Sequence, residues 1–498
     1  MRRRFAWLLA LALVTTACGT RLSHSRLAAD WRGGSSGSQG ASAGQDSASG
    51  GSGSLAAGDT GGAAGGGSSS GATGSTGGGG AAATTGASGG GGTTGSSGGG
   101  GSTGGGASGG GGSTGGGAGG SGSTGGIGIS AGQQCGAPKS PITIGSVGAQ
   151  SGVVGASVNG TNAIRAWVSA INAKGGLSCH PVKYVVSDDG SDPSRNQAAI
   201  QQLVEQNHAV AIVYYDAPLD GDASLAYINQ HHVPVIGTES AQDWSYTSPY
   251  FFLQGDNGAT QDQDLFNVAA TTKPHGSVAI FACVEAKACS NVTSAGPGYA
   301  QKSGLNLVSS SQVSLAQPDF TAQCQTAKSK GAQVVMLYVD VNSIDRVLRS
   351  CSSINYHPQY AAYSLAAALS TARDPLAEGL VAALGVMPWV VSSNPAIQSF
   401  TQTMSRYAPG AEVGLKESLA WGAVKLFEAA GQRLPDAPTP QDVLNGLWTI
   451  KNQDFGGMTN SLTFTQNQPS PRVGCTWVVQ VRGGQWTSPN NGQKICSH

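Results

Sequence analysis

Ile142-Thr143-Ile144-Gly145-Ser146-Val147 opens the folded part of the chain, and the pattern that follows it sets the architecture. A short apolar run of this kind reads as a buried strand. Ile164, Trp167, Val168 and Ile171 then recur at i, i+3, i+4 and i+7, the stripe of an amphipathic helix, which Gly175-Gly176 stops. Residues 182–186 read as a second strand, and Asp192-Pro193 caps a helix carrying Ile200, Leu203 and Val204. Residues 209–214 and 233–236 make a third and a fourth strand with a helix between them. The cycle restarts at Val278-Ala279-Ile280-Phe281 and runs through a strand at 305–308 and a helix after Asp319. A strand at 334–339 and a helix at 343–353 follow. Repeated β-α-β units mean parallel sheets with helices on both faces, so the fold class is α/β. Two such series predict two doubly wound lobes.

The chain before this point is a different material. Of the 79 glycines in the 498 residues, 46 lie between Gly33 and Ser130, where Asp46 and Asp59 are the only charged residues. A tract of Gly, Ser, Ala and Thr has too little apolar surface to offset its ordering entropy, so residues 19–134 are expected to be a disordered tether. About a hundred flexible residues reach roughly 50–60 Å. Gly111-Gly112-Ser113-Thr114-Gly115 matches a hydrolase nucleophile pattern, but neither a strand nor a helix flanks it, so composition explains it. From Cys135 onward there are 21 basic and 24 acidic residues, a net of −3. That balance holds no basic stripe and argues against a nucleic-acid partner. The remaining 360 or so residues suffice for two lobes, each with its own core.

Residues 1–18 read as an export signal. Met1-Arg2-Arg3-Arg4 is a basic start, and residues 5–14 form an apolar run too short to span a bilayer. Thr15-Thr16-Ala17-Cys18 resembles the lipobox of bacterial lipoproteins, with threonine at position 15 where leucine is usual. Diacylation of Cys18 would anchor the chain stably to a membrane; cleavage near Ala17 as an ordinary signal would release it. Assigning Cys18 to lipid leaves eight of the nine cysteines, at 135, 179, 283, 289, 324, 351, 475 and 496. Outside a reducing cytosol these are expected to pair. Of 105 formal connectivities, the expected one is sequential: Cys135–Cys179, Cys283–Cys289, Cys324–Cys351 and Cys475–Cys496. The second pair shares one loop after a strand, and the third sits on two helices expected to pack side by side. No CxxC or Cys/His spacing suggests zinc.

Several strings, in order, carry a family resemblance: Gly148-Ala149-Gln150-Ser151-Gly152, Ile171-Asn172-Ala173-Lys174-Gly175-Gly176 and Ser187-Asp188-Asp189. Pro318-Asp319-Phe320 and Val347-Leu348-Arg349 extend the series into the second half. The chain resembles the type I periplasmic binding proteins, in the leucine/isoleucine/valine-binding group of ABC-transporter substrate-binding proteins, from about Ile142 to Trp486. The resemblance implies two lobes, about 141–262 with 387–475 and about 263–386 with the C-terminal strand, which close on a small ligand. It also implies an ABC permease and ATPase as partners, a monomeric receptor, no cofactor and no metal. In relatives, serines and threonines after two first-lobe strands hold the ligand carboxylate, and a second-lobe glutamate receives its amine.

Ligand contacts in such folds come from loops after strand C-termini. The candidates here are Gln150, Ser151, Tyr215, Asp216, Ala217, Thr238, Glu239, Ser240, Asp340 and Ser364. Several depart from the family pattern. Asp216-Ala217-Pro218-Leu219 stands where relatives carry a serine run, and Ser364 falls where the amine-binding glutamate is expected. An amino-acid-like ligand is the family implication; a polyol, an amine-bearing ligand or an amide fits these groups as well. Each residue also has a plain role: Asp188 and Asp189 as capping or hinge groups, one of Tyr214 and Tyr215 in the core, Trp244 and Trp389 packed under loops, and His231-His232 bonding the end of a helix. No HExxH and no nucleophile elbow occurs in the folded part, so an enzyme is not expected. The leading reading is a lipid-anchored solute receptor on the extracytoplasmic face that feeds an ABC importer. The other is a ligand sensor acting through a separate membrane partner.

Overall fold

The computed structural model describes residues 135–496 apart from the short stretches 152–157, 239–241, 256–257 and 365–366. The export signal with Cys18, the Gly-rich tract, Glu239 and Ser240 lie outside the described residues. Strands β1 (Ile142–Gly148), β2 (Val182–Asp188), β3 (Ala209–Tyr215), β4 (Val235–Thr238) and β5 (Phe251–Phe252) form a parallel sheet in the order β2-β1-β3-β4-β5. Helices α1 (Val158–Asn172), α2 (Pro193–Gln201) and α3 (Leu225–His231) make its connections. The second sheet repeats the pattern. Its strands β6 (Ser277–Cys283), β7 (Asn306–Val313), β8 (Val334–Tyr338), β9 (Gln359–Ala362) and β10 (Val381–Leu384) run parallel in the order β7-β6-β8-β9-β10. Antiparallel β11 (Cys475–Arg482) extends that sheet and carries β12 (Gln485–Thr487) and β13 (Ile495–Cys496). Two parallel sheets of one strand order are the doubly wound lobes that the alternating pattern predicts.

Helices α4 (Gly258–Thr272), α5 (Lys287–Lys302), α6 (Thr321–Ser329), α7 (Val341–Ser353) and the short α8 (Leu369–Arg373) belong to the second sheet. Of the last three, α9 (Pro395–Tyr407) and α10 (Leu415–Ala430) pack on α1, and α11 (Pro440–Trp448) packs on α10 and β3. The chain therefore crosses between lobes after β5, after β10 and before β11. Two of these crossings touch: a Cβ on Gly255 would lie 3.5 Å from the Gly385 carbonyl oxygen. Helix α10 is apolar on nearly every face and correspondingly buried. Two of its acids are buried: Glu428 accepts from Trp167 Nε1 at 3.0 Å and from Lys425 Nζ at 2.8 Å, whereas Glu417 accepts from the Gly414 N–H at 2.9 Å through one oxygen and leaves the other without a partner.

Local chemistry explains where boundaries differ from expectation. Strand β4 begins at Val235, not Val233, because the Val233 N–H donates to the Ile228 carbonyl at 3.1 Å and Pro234 has no N–H for a ladder. Helix α7 starts at Val341 because the Asp340 carboxylate caps it, accepting from Asn342 N and Ser343 N. Strand β7 runs on through Ser309-Ser310-Ser311, paired with the buried β6 from one side. The eight cysteines form Cys135–Cys179, Cys283–Cys289, Cys324–Cys351 and Cys475–Cys496. Cys324 and Cys351 join the neighbouring helices α6 and α7. Cys283 ends β6 and Cys289 lies in the first turn of α5, so that pair links strand to helix and is not confined to one loop.

Strand β3 has one irregularity that matters for the site. Gly145 pairs with Ile212 and Gly148 with Asp216, so three steps along β1 match four along β3. The extra residue is a bulge, and Tyr214 near it takes a positive φ of 64°. Tyr214 and Val213 consequently face the same core, whereas Tyr215 turns to the other side of the sheet. Gly160 on α1 leaves room for the ring: a Cβ there would lie 2.4 Å from Tyr214 Cε1.

Candidate functional site

A cavity of about 350 Å³ opens between the two lobes. Pro218 and Leu219 after β3, with Gln242 and Asp243 after β4, form the first-lobe wall. The second lobe supplies more of the surface. Cys283 at the end of β6, Val339 and Asp340 after β8, and Tyr363 after β9 all lie at the C-terminal ends of parallel strands. Strands β6 and β8 flank the point where the second sheet reverses its order, which is where open α/β sheets form crevices. Ala288, Asn291, Ala295 and Tyr299 add one face of α5, at helical spacing. Asp262 reaches in from the second turn of α4.

Two side chains on α5 span the mouth. Lys287 Nζ meets Asp222 Oδ2 of the first lobe at 2.9 Å, and Asn291 Nδ2 donates to Asp243 Oδ2 at 3.2 Å. Asp243 also holds Arg472 at 3.0 Å. The Lys287 pair is exposed, so its contribution to closure is small, within about 1 kcal/mol.

The sequence-derived candidates separate into two groups. Asp340 lines the cavity, although its carboxylate is committed to capping α7. None of the other described candidates is among the lining residues. The Gln150 and Ser151 amides donate to Asp188 Oδ1 at 2.9 and 3.2 Å, and the Ser151 hydroxyl donates to Asp188 Oδ2 at 2.7 Å. Asp188 thereby holds the loop after β1, and Asp189 accepts from the Ser191 amide and Asn196. Tyr215 is 1% exposed; its hydroxyl donates into Asn196 and the Gly221 carbonyl, while Trp244 and Phe251 pack against its ring. Asp216 is buried and paired with Lys416 Nζ at 3.3 Å, and Ala217 packs in the same core as Tyr215. Thr238 exchanges both backbone groups with Gln254, and the Ser364 carbonyl accepts from the Ala367 amide. His231 and His232 stack on Tyr227 and Tyr250.

Sequence reasoning passed over Asp262, Tyr299 and Tyr338. For Asp262 a signal existed: it shares a helical stripe with the apolar Leu265, Phe266 and Ala269, where an acid is out of place. Burial pushes its carboxyl well above the usual carboxylate range; the Tyr338 hydroxyl offsets part of that, and the Asp243 charge adds to it. Burial likewise raises Tyr299 to about 12, helped by Asp262 and Asp243. The buried Tyr338 hydroxyl makes no hydrogen bond of ordinary geometry. No group of three metal-binding side chains occurs among the described residues, and no helix among them is long and apolar enough to cross a membrane.

Two like lobes, three crossings and a cavity between strand ends define a two-lobed α/β binding fold. The chain belongs to the periplasmic binding protein family, whose profile matches residues 141–485. Solved structures agree on the fold. A possible leucine/isoleucine/valine-binding protein from Rhodopirellula baltica SH 1 is similar with a TM-score of 0.63 at 16% identity, over 72% of this chain and 98% of that one. A fatty acid ABC transporter substrate-binding protein from Thermomonospora curvata gives 0.61 at 16% identity, over 72% and 94%. A branched-chain amino acid transporter substrate-binding protein from Streptococcus pneumoniae, in complex with isoleucine, gives 0.60 at 16%, over 72% and 100%. A search of curated protein sequences finds no match.

Proposed function

We propose that this chain is an extracytoplasmic solute receptor that captures a small ligand between its lobes and delivers it to an ABC importer. The cavity carries this reading: both lobes wall it, strand C-termini surround it, and α5 bridges its mouth to the first lobe. A ligand that contacts both walls favours the closed arrangement by its differential affinity, and no catalytic group is needed. The similar structures come from receptors for fatty acid and for branched-chain amino acids, which supports a small organic solute.

The test is a thermal-shift screen of the full chain across amino acids, fatty acids, polyols, amines and short amides, with small-angle scattering on each hit. A true ligand at a hundred times its Kd adds about 2.7 kcal/mol of stability and compacts the molecule. A chain that no compound stabilises, and whose scattering never changes, is not a solute receptor.

The layout follows the same logic. Residues 1–18 act as a lipoprotein signal, 19–134 as the tether, and 135–498 as the binding region, with Cys18 carrying the lipid. Cys18→Ala is expected to move the protein from the membrane fraction into the medium. Unchanged membrane retention in fractionation would refute the anchor and leave the binding role standing.

A further inference from the structure

The cavity between the lobes has a lopsided chemistry. None of its described lining residues is lysine, arginine or histidine, whereas three are aspartates and three are tyrosines. The aspartates differ in how they are occupied. Asp243 is held by Arg472 and Asn291, and Asp340 by the first amides of α7. Asp262 has neither an ion pair nor a hydrogen bond beyond the approach of Tyr338, although it is only 8% exposed. Tyr338 is 5% exposed, lines the same cavity, and its hydroxyl approaches Asp262 without making a bond of ordinary geometry. The two groups, both more than nine-tenths buried, thus face one space with only each other as partner, fewer contacts than a carboxyl can make. Buried polar groups are normally paired, so this convergence calls for something between the lobes to pair them.

A carboxylate ligand suits this site poorly. It would add its charge to those of Asp243 and Asp340 in a site with no cation among its described lining residues, and the nearest lysine, Lys287, is paired with Asp222. A cation meets the opposite situation: an uncommitted carboxyl, and rings of Tyr299, Tyr338 and Tyr363 whose faces attract positive charge. Tyr338 and Tyr363 stand with centroids 5.8 Å apart. The Cys283–Cys289 disulfide, Leu315, Val339 and the alanines of α5 then suit an apolar body.

Resting on the receptor reading above, we propose that the cavity takes an organic monocation with an apolar body, its ammonium set against Asp262 and the tyrosine rings, and rejects ligands recognised through a carboxylate. Binding is then linked to a proton. Burial pushes the Asp262 carboxyl well above the usual carboxylate range, so a cation that favours its ionised form releases a proton, and affinity rises with pH below the raised pKa. The groups facing Asp262 are Tyr338 from β8, Tyr299 from α5, and Asp243 with its partner Arg472; on its own helix, Asp264 is bonded to Thr476.

Calorimetry on the full chain, with 2-phenylethylamine, choline, leucine and decanoate as probes, tests this. At least one of the two cations is expected to bind with a Kd below about 1 mM and at least about tenfold more tightly than leucine or decanoate. Asp262→Asn should weaken cation binding about 10- to 100-fold, the loss of a charge-assisted contact. Its melting temperature should not fall, since an isosteric amide replaces an unpaired acid. Choline does not titrate, so its affinity should rise with pH, by up to about tenfold per pH unit, over the range above the usual carboxylate pKa in which Asp262 is still losing its proton. Choline affinity that is flat with pH, cation binding unaffected by Asp262→Asn, or no cation binding at about 10 mM overturns the proposal. Tighter binding of leucine or decanoate, with compaction, also overturns it but leaves the receptor reading intact. Failure of the whole screen, in contrast, removes the receptor reading itself.

Discussion

Lys416→Met is expected to cost about 3 kcal/mol of folding stability, the low end of what stripping a buried ion pair of one partner costs. Asp216 is the reason. Its side chain is 3% exposed, one carboxylate oxygen has no partner, and the other meets Lys416 Nζ at 3.3 Å. The carboxylate has no room to turn away, because its backbone is fixed against β1: Ala149 N donates to the Asp216 carbonyl at 3.3 Å, and Asp216 N to the Val147 carbonyl at 2.9 Å. A Cβ on Gly148 would lie 2.4 Å from that same carbonyl oxygen, which shows how closely the two strand ends approach. Lys416 is the wetter partner, at 23%, so Asp216→Asn should cost less than Lys416→Met. The double variant should recover most of the loss, because neither charge is then stranded. Chemical denaturation of the three variants checks this. A Lys416→Met protein within about 1 kcal/mol of the parent would mean that the pair carries no stability.

Removing the α6–α7 disulfide as Cys324→Ala with Cys351→Ala is expected to cost about 3.5 kcal/mol, the loop-closure entropy of a 27-residue separation. Both cysteines are 0% exposed, so the alanines remain in a packed environment and most of the change acts through the unfolded chain. Cys283→Ala with Cys289→Ala, spanning a separation of 6, should cost only about 2 kcal/mol on the same basis. Denaturation under non-reducing conditions gives the order. If the short link proves the more costly, its value lies in native-state packing at the cavity wall and the entropic account fails.

These two results concern parts of the molecule that were unequally legible. The disulfides followed from cysteine count, compartment and order along the chain, and Cys324–Cys351 also from two helices expected side by side. The Asp216–Lys416 pair could not be anticipated. The partners are 200 residues apart, and nothing local to Ala217-Pro218-Leu219 indicates that a helix from the far end of the chain brings a lysine beneath them. The same limit explains why Tyr215 lies in the core. A strand read as regular alternation would have placed Tyr214 and Tyr215 by parity, but the bulge shifts that parity by one residue.

Strand and helix order, the two-lobed class and the family were all carried by local signals. Hydrophobic period, helix caps and strings such as Asn172-Ala173-Lys174-Gly175-Gly176 depend on neighbours within a few residues, and those are present before folding. The loops after strand C-termini border the cavity, at Pro218, Cys283, Val339 and Tyr363. Which side chains enter that region was settled by packing. Asp340 spends its carboxylate on the start of α7, Thr238 spends its backbone on Gln254, and Asp262 enters from a helix that no strand-end rule identifies. Burial and pairing depend on the summed surroundings of a group, and for this cavity those surroundings come from segments separated by tens to hundreds of residues, which only the folded chain brings together.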